Sequence, residues 1–322
     1  MTSAPVPPQL DVTSGAALSG PNARLLALKA AVTVALLAYL ISKLDVADLG
    51  LKLRAAPLMP VVLAVLVVTA EIPLTAARWM WLARRTGAAM SYRLALKLTW
   101  SGLFFGQVLP ASIGGDVVRG WLGARNGLGW KPVVSSLVLD RVIALLAAVA
   151  MILCALPWIA GEEAGALRLT ALVSVVVVLG LLLGLFADHL PLPAQIADIT
   201  AVQTARAMIA QIRSGLFSAP GAAALSLSLL IHAMTITAVA LLASALGVVN
   251  PIVPSAVVVP VALVAAAIPV SVNGWGVREG VMVAGFALFG IAQPEAFLIS
   301  VLLGLSVVVS ALPGGLAWLT LK

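Results

Sequence analysis

The chain has 322 residues, of which 62% are hydrophobic and 10% charged, and its mean hydropathy is +1.15. That composition excludes a soluble globular domain and fits a polytopic helical membrane protein, in which runs of about 20 apolar residues cross the bilayer. The formal charge of +7 does not point to nucleic acid, because the basic residues are scattered between apolar runs without a basic stripe or interleaved aromatics. They read instead as orientation signals. The single cysteine, Cys154, can form no intrachain disulfide and stands in no zinc-ligand spacing. No metal or cofactor is expected.

Residues 1 to 23 are rich in Pro, Ser, Thr, Gly and Ala and read as a disordered tail. A first span runs from about Leu25 to Ser42, too long for a signal-peptide core. The stretch from Lys43 to Ala56 carries an apolar stripe of Leu44, Val46, Leu49 and Leu53 and suits the membrane interface. A second span, about Leu58 to Leu82, contains Glu71, Pro73 and Arg78. Arg78 is expected to snorkel to the inner surface, with Trp79 and Trp81 as interfacial aromatics.

A helix from about Tyr92 to Leu109 then enters a Pro-Gly loop, and a shorter helix leaves it through Trp121. Val133 to Trp158 forms another span and holds Asp140-Arg141 well inside it. Residues 169 to 187 form a nearly pure Leu/Val span. Ile196, Ile199, Val202, Ile209, Ile212 and Leu216 recur at helical spacing, with Arg206 and Arg213, as expected of an amphipathic surface helix. The span from about Ala222 to Leu246 contains His232. Val253 to Ile268 enters a second loop, Val277 to Gly290 leaves it, and a last span covers about Ala296 to Leu319.

The two loops share a pattern. Leu109-Pro-Ala-Ser-Ile-Gly-Gly-Asp-Val-Val-Arg119 aligns without gaps with Ile268-Pro-Val-Ser-Val-Asn-Gly-Trp-Gly-Val-Arg278. Pro110 and Pro269 end the entering helices by removing a donor and clashing with the preceding turn. Gly114, Gly115, Gly274 and Gly276 permit the reversal. Each returning helix then starts with unpaired N–H groups that favour an anion. Arg119 and Arg278, one turn along, suit forked binding of phosphate or carboxylate. Ser112 and Ser271 add hydroxyls, and Asp116, Glu279, Asp140 and Arg141 complete the candidate substrate-binding set. Asp116 is placed to cap its helix or to pair with Arg119. A competing reading has Arg119 and Arg278 pair with Asp116 and Glu279 simply to hold the hairpins shut. Glu71 and His232 are candidate proton-coupling residues, although a lone histidine on an apolar helix is more often a packing residue.

The parse divides the membrane domain, residues 24–322, into two halves of the same order, about 24–158 and 168–320. If each loop segment re-enters, each half crosses three times and the halves are inverted. The expected fold is all-α and polytopic, with six full spans and two re-entrant hairpins. Eight full spans are the alternative. With the N-terminus inside, inner loops hold ten basic residues (Arg24, Arg84, Arg85, Arg93, Lys97, Arg125, Lys131, Arg206, Arg213 and Lys322) and outer loops four (Lys43, Lys52, Arg54 and Arg168). Both termini are therefore expected to be cytoplasmic, in a multi-pass protein of the cytoplasmic membrane.

At these motifs the chain resembles the lysylphosphatidylglycerol synthetase transmembrane family, also called the flippase-like domain family. The resemblance rests on Leu109-Pro-x-x-x-Gly-Gly-Asp-x-x-Arg119, the acidic-Arg pair Asp140-Arg141, Gly274-x-Gly-Val-Arg-Glu279 and Pro313-Gly314. It covers nearly all of the chain from about residue 24. Asp140 stands where Glu is usual, and Gln107 where Asn is frequent. The chain closes at Lys322, so it is expected to stand alone, without the aminoacyl-transferase domain of two-part members.

The resemblance implies lipid translocation, with an anionic or phosphate-bearing head group as substrate. A membrane-embedded lipid-modifying transferase is the alternative, as is an accessory subunit of a lipid-synthesis pathway. The chain has no His-Glu-x-x-His, Gly-x-Ser-x-Gly or Gly-x-x-x-x-Gly-Lys motif, which argues against these catalytic and ATPase chemistries. Expected partners are a membrane lipid and, beyond it, a second copy of the chain or a lipid-synthesis enzyme.

Overall fold

The computed structural model describes residues 54–108, 114–158, 165–191, 198–268 and 274–321, with residues 31, 34, 38, 39, 193, 195 and 271 besides. The N-terminal tail, nearly all of the first span and the connector after it lie outside the described residues. So do Pro110, Ser112 and Pro269.

All described regular structure is helical. Helix α1 (Leu58–Arg85) follows the extended Pro57. The first hairpin is α2 (Tyr92–Val108) and α3 (Gly114–Arg125), and α4 (Trp130–Ala155) follows it. Helix α5 (Gly165–Gly184) leads to α6 (Thr200–Leu216) and α7 (Ala219–Ala245). The second hairpin is α8 (Ile252–Ala267) and α9 (Val277–Ala287), and the chain finishes with α10 (Gln293–Ala311) and α11 (Pro313–Leu319). Five stretches are long and apolar enough to cross a membrane: Leu58–Arg85, Trp130–Trp158, Leu167–His189, Ala219–Ala245 and Gln293–Leu319. The protein is an all-helical, multi-pass membrane protein.

The hairpins differ from these spans in length. Helices α3 and α9 have 12 and 11 residues, about 17 to 18 Å of rise, well short of the roughly 30 Å hydrocarbon core. Each hairpin packs chiefly on itself and on a flanking span. The first shares a core with α1 and α4, built on Trp79, Leu98, Leu122 and Val133. The second shares one with α1, α7 and α10, built on Leu242, Val258, Phe286 and Leu302.

Close helix approach depends on absent side chains, as is usual where lipid gives helices no hydrophobic drive to associate. A Cβ on Gly115 would lie 2.6 Å from the Gly102 carbonyl oxygen, and one on Gly102 would lie 2.4 Å from Arg119 Cγ. In the second loop Gly274 and Gly276 have φ of 78° and 87°, the left-handed region that other residues rarely adopt. At the far end Pro313-Gly314 brings α11 onto α2. A Gly314 Cβ would sit 2.1 Å from the Trp100 carbonyl oxygen. Trp100 Nε1 donates to the Ser310 carbonyl at 2.8 Å, and Phe105 meets Trp318 edge-on at 5.4 Å.

The expected amphipathic segment is present as α6, starting at Thr200 after the extended Ile199. Its arginines serve the end of the preceding span. Arg206 Nε donates to the Asp188 carbonyl and Nη2 to the Leu190 carbonyl, both at 3.0 Å. Arg213 donates to the Leu185 carbonyl at 2.9 Å and pairs with the Asp188 carboxylate. Cations at a helix C-terminus satisfy carbonyls that the helix cannot pair itself.

Two expectations about α1 need correction. Arg78 does not snorkel: it is 5% exposed and paired inside the bundle. Trp79 is not an interfacial aromatic, because it is fully buried and donates through Nε1 to Ser136 Oγ at 3.0 Å. Trp81, by contrast, is exposed. A buried carboxylate on α4, Asp140, accounts for the first difference, since it gives the guanidinium a better partner than the membrane surface.

Candidate functional site

Asp140 anchors a network of charges drawn from α1, α3 and α4. Arg78 grips its carboxylate with a fork, Nε to Oδ1 at 2.8 Å and Nη2 to Oδ2 at 3.3 Å. The remaining Arg78 nitrogen, Nη1, donates to Ser228 Oγ on α7 at 2.9 Å. Arg119 Nη2 stands 3.7 Å from Asp140 Oδ2, and its Nη1 donates to Asp116 Oδ1 at 3.1 Å. Arg141 closes the network through a 2.5 Å contact from Nε to Asp116 Oδ2. Forked, charge-assisted bonds of this kind are strong and directional, which suits charges placed where desolvation is costly.

Helix α3 starts beside this network because Gly115 and Gly102 let it lie against α2. Arg119, one turn further, is then laid over the Trp79 ring, its guanidinium carbon 4.1 Å from the centroid. Arg119 is 7% exposed, yet its Nε and Nη2 make no hydrogen bond. Thr99 Oγ1 on α2 is likewise buried without a partner. Buried donors are almost always hydrogen-bonded, so two nitrogens of one guanidinium without a hydrogen bond call for an explanation.

A cavity of about 260 Å³ supplies the setting. It is lined by Glu71, Thr75 and Arg78 of α1, by Thr99 and Gln107 of α2, by Gly115, Asp116 and Arg119 of α3, and by Asp140, Arg141 and Ala144 of α4. Val307 of α10 completes one wall. Glu71 accepts a hydrogen bond from Thr235 Oγ1 at 3.0 Å and has no ion-pair partner among the described residues.

Six of the candidate residues therefore meet at one place: Gly115, Asp116, Arg119, Asp140, Arg141 and Glu71. Gly114 opens α3 and is buried just behind them. His232 lies outside the cavity lining and donates through Nε2 to the Ala144 carbonyl at 2.9 Å.

The second hairpin holds a separate cluster. Glu279, fully buried, accepts from the Gly276 N–H at 2.6 Å, from Arg278 Nη2 at 2.6 Å and from Ser300 Oγ at 3.1 Å. Arg278 also lies 4.8 Å from the Trp275 ring centroid, and a Cβ on Gly304 would come within 2.5 Å of its Nη2. Ser271 is fully buried beside Gly274 in the same loop, and its Oγ has no partner. None of Arg278, Glu279, Ser271 and Gly274 lines the cavity of the first hairpin. Among the described residues, those expected at one shared centre fall into two unlike clusters. The reason is local: Glu279 both caps α9 and neutralises its neighbour, whereas the aligned position of α3 is Gly120.

Reading the sequence alone missed Arg78 as a network member, and also Ser228, Thr99 and Ser300. The signal for Arg78 was its seven-residue offset from Glu71, two helical turns, which puts both on one face. Nothing local marks the serines.

Comparison with known proteins is consistent with this picture. No curated protein and no solved structure matches the chain. The family model described as lysylphosphatidylglycerol synthase TM region matches residues 26–316, nearly the whole chain, and with its Asp-Arg network on a helical membrane scaffold the protein belongs to that family.

Proposed function

We propose that the protein moves an anionic or phosphate-bearing lipid head group across the cytoplasmic membrane, receiving it in the cavity beside Arg119. One observation carries this reading above the others: Arg119 is held by two aspartates and a tryptophan face, yet two of its buried nitrogens make no hydrogen bond among the described residues beside an open cavity. A charge so costly to bury is over-supported for a strut and well prepared for an anion, since its geometry is set before the ligand arrives. Family membership supports a lipid as the bearer of that anion.

The test uses purified protein in phosphatidylcholine proteoliposomes containing acyl-labelled fluorescent phosphatidylglycerol, with dithionite reporting the outer leaflet. Translocation in Arg119→Ala is expected to fall at least about tenfold, the loss of a charge-assisted bond of roughly 1.5–3 kcal/mol. Arg119→Lys is expected to recover only part of it, because a point charge cannot reproduce the fork. Unchanged rates in Arg119→Ala would overturn the site. A lipid product formed without translocation would favour the transferase.

In the same reading the two halves are inverted repeats, each with a re-entrant hairpin, and both termini are cytoplasmic. The short α3 and α9 support re-entry. Single cysteines at Arg125 and Gln293, in a Cys154→Ser background, are expected to react with an impermeant maleimide from opposite sides of the membrane. Labelling of both from one side would refute the inversion.

A further inference from the structure

Among the described residues, Glu71 is the one carboxylate of the cavity that no cation answers. Its described hydrogen bond comes from the neutral hydroxyl of Thr235, although the cavity holds three guanidinium groups. Those three, Arg78, Arg119 and Arg141, are committed to Asp140 and Asp116. Three positive charges against two negative ones leave one positive charge in the cavity when Glu71 is protonated. When Glu71 is ionised the cavity is neutral.

The titratable groups around the cavity that holds Glu71 come from its own helix and from three others. They are Arg78 on its own helix, Asp116 and Arg119 on α3, Asp140 and Arg141 on α4, and His232 on α7. Helix α2 contributes the uncharged Gln107, and α10 contributes Val307. His232 spends its Nε2 proton on the Ala144 carbonyl, which leaves Glu71 as the carboxyl free to change charge without breaking an ion pair.

We propose that Glu71 is a proton-binding site that couples the passage of the anionic head group to a proton, the two occupying the cavity together. The proposal rests on the translocation reading above. A monoanionic phosphodiester entering beside Arg119 neutralises the cavity when Glu71 carries a proton. It leaves an unanswered negative charge when Glu71 is ionised, and in a low-dielectric site that charge is expensive. Proton and anion therefore favour each other's binding by the same factor, as linkage requires. The proton is taken up from water on one side and released to water on the other, and no bond other than that to hydrogen changes.

The experiment uses the same proteoliposomes and fluorescent phosphatidylglycerol, with a pH gradient imposed in either direction. In the wild type, acidifying the side that holds the probe is expected to speed its translocation about tenfold, within the usual range of coupling between sites. Glu71→Gln imitates the protonated form and can still accept from Thr235, so it is expected to fold and to translocate at a rate independent of the gradient. Infrared difference spectra of the protein in phosphatidylcholine nanodiscs give an independent reading. A protonated-carboxyl band that titrates in the wild type should be missing from Glu71→Gln. Persistence of the gradient dependence, or of the band, in Glu71→Gln overturns the proposal while leaving the Arg119 site standing. If the probe moves in no variant the translocation reading fails, and the infrared band alone still decides whether Glu71 titrates.

Discussion

Asp140→Ala is expected to cost the protein about 3–5 kcal/mol, the penalty for stranding a buried charge whose partner has been removed. The effect should exceed that of losing either arginine's contact alone, because Asp140 answers Arg78 directly and Arg119 at longer range. Arg119 keeps Asp116, but Arg78 is left with only the neutral Ser228 hydroxyl. The measurement is thermal unfolding in detergent micelles. Its diagnostic partner is the double variant Arg78→Met/Asp140→Val, which removes both charges and puts apolar side chains of nearly the same combined size in their place. Replacing an intact buried pair by apolar side chains is often neutral, so the double variant should recover most of the lost stability. A double variant as unstable as Asp140→Ala would show that the carboxylate acts through packing or through Arg119 and not as the counter-charge of Arg78.

Gly115→Ala should be nearly as damaging for a different reason. The added methyl meets a backbone carbonyl, that of Gly102 at 2.6 Å, and a carbonyl fixed within a helix cannot swing aside as a side chain could. The α2–α3 hairpin must then open. Overpacking of this kind costs about 1–3 kcal/mol, and it also shifts Arg119, one turn along the same helix. Translocation is expected to drop further than the stability loss alone explains. Gly180→Ala serves as the control, because nothing lies within 4 Å of the added Cβ and alanine favours a helix by about 1 kcal/mol. Equal behaviour of the two variants would remove the close approach from the account of the site.

Hydropathy and proline placement made the helices legible. Each of the five spans was read within a few residues of its position, because membrane crossing demands length and composition that no other need imposes. The hairpins were legible for a related reason: Pro and Gly have backbone consequences wherever they stand. The ion pairs were legible only when short in range. Asp116 and Arg119 are three apart on one helix, and their pairing could be expected. Arg78 and Asp140 are separated by 62 positions, so the partner of Arg78 was hidden until the helices were packed. The alignment of the two loops was misleading in one respect. It matched the arginines but put a glycine, Gly120, opposite Glu279, and that carboxylate, with Ser300 of α10, holds the second arginine beside its own hairpin.

The docking of α10 and α11 on α2 joins residues made early to residues made much later. Trp100 and Ser310 are 210 positions apart, and Val307, a wall of the cavity, lies one turn before Ser310 on α10. During synthesis the first hairpin is inserted long before its cover exists. The α2 face around Phe104 meets Gly314 and Gly315 only after the intervening chain has been translated, a delay typical of contacts between distant segments. The cavity is consequently unfinished until α10 and α11 have been made, and the seam at Gly314 marks where they close against α2.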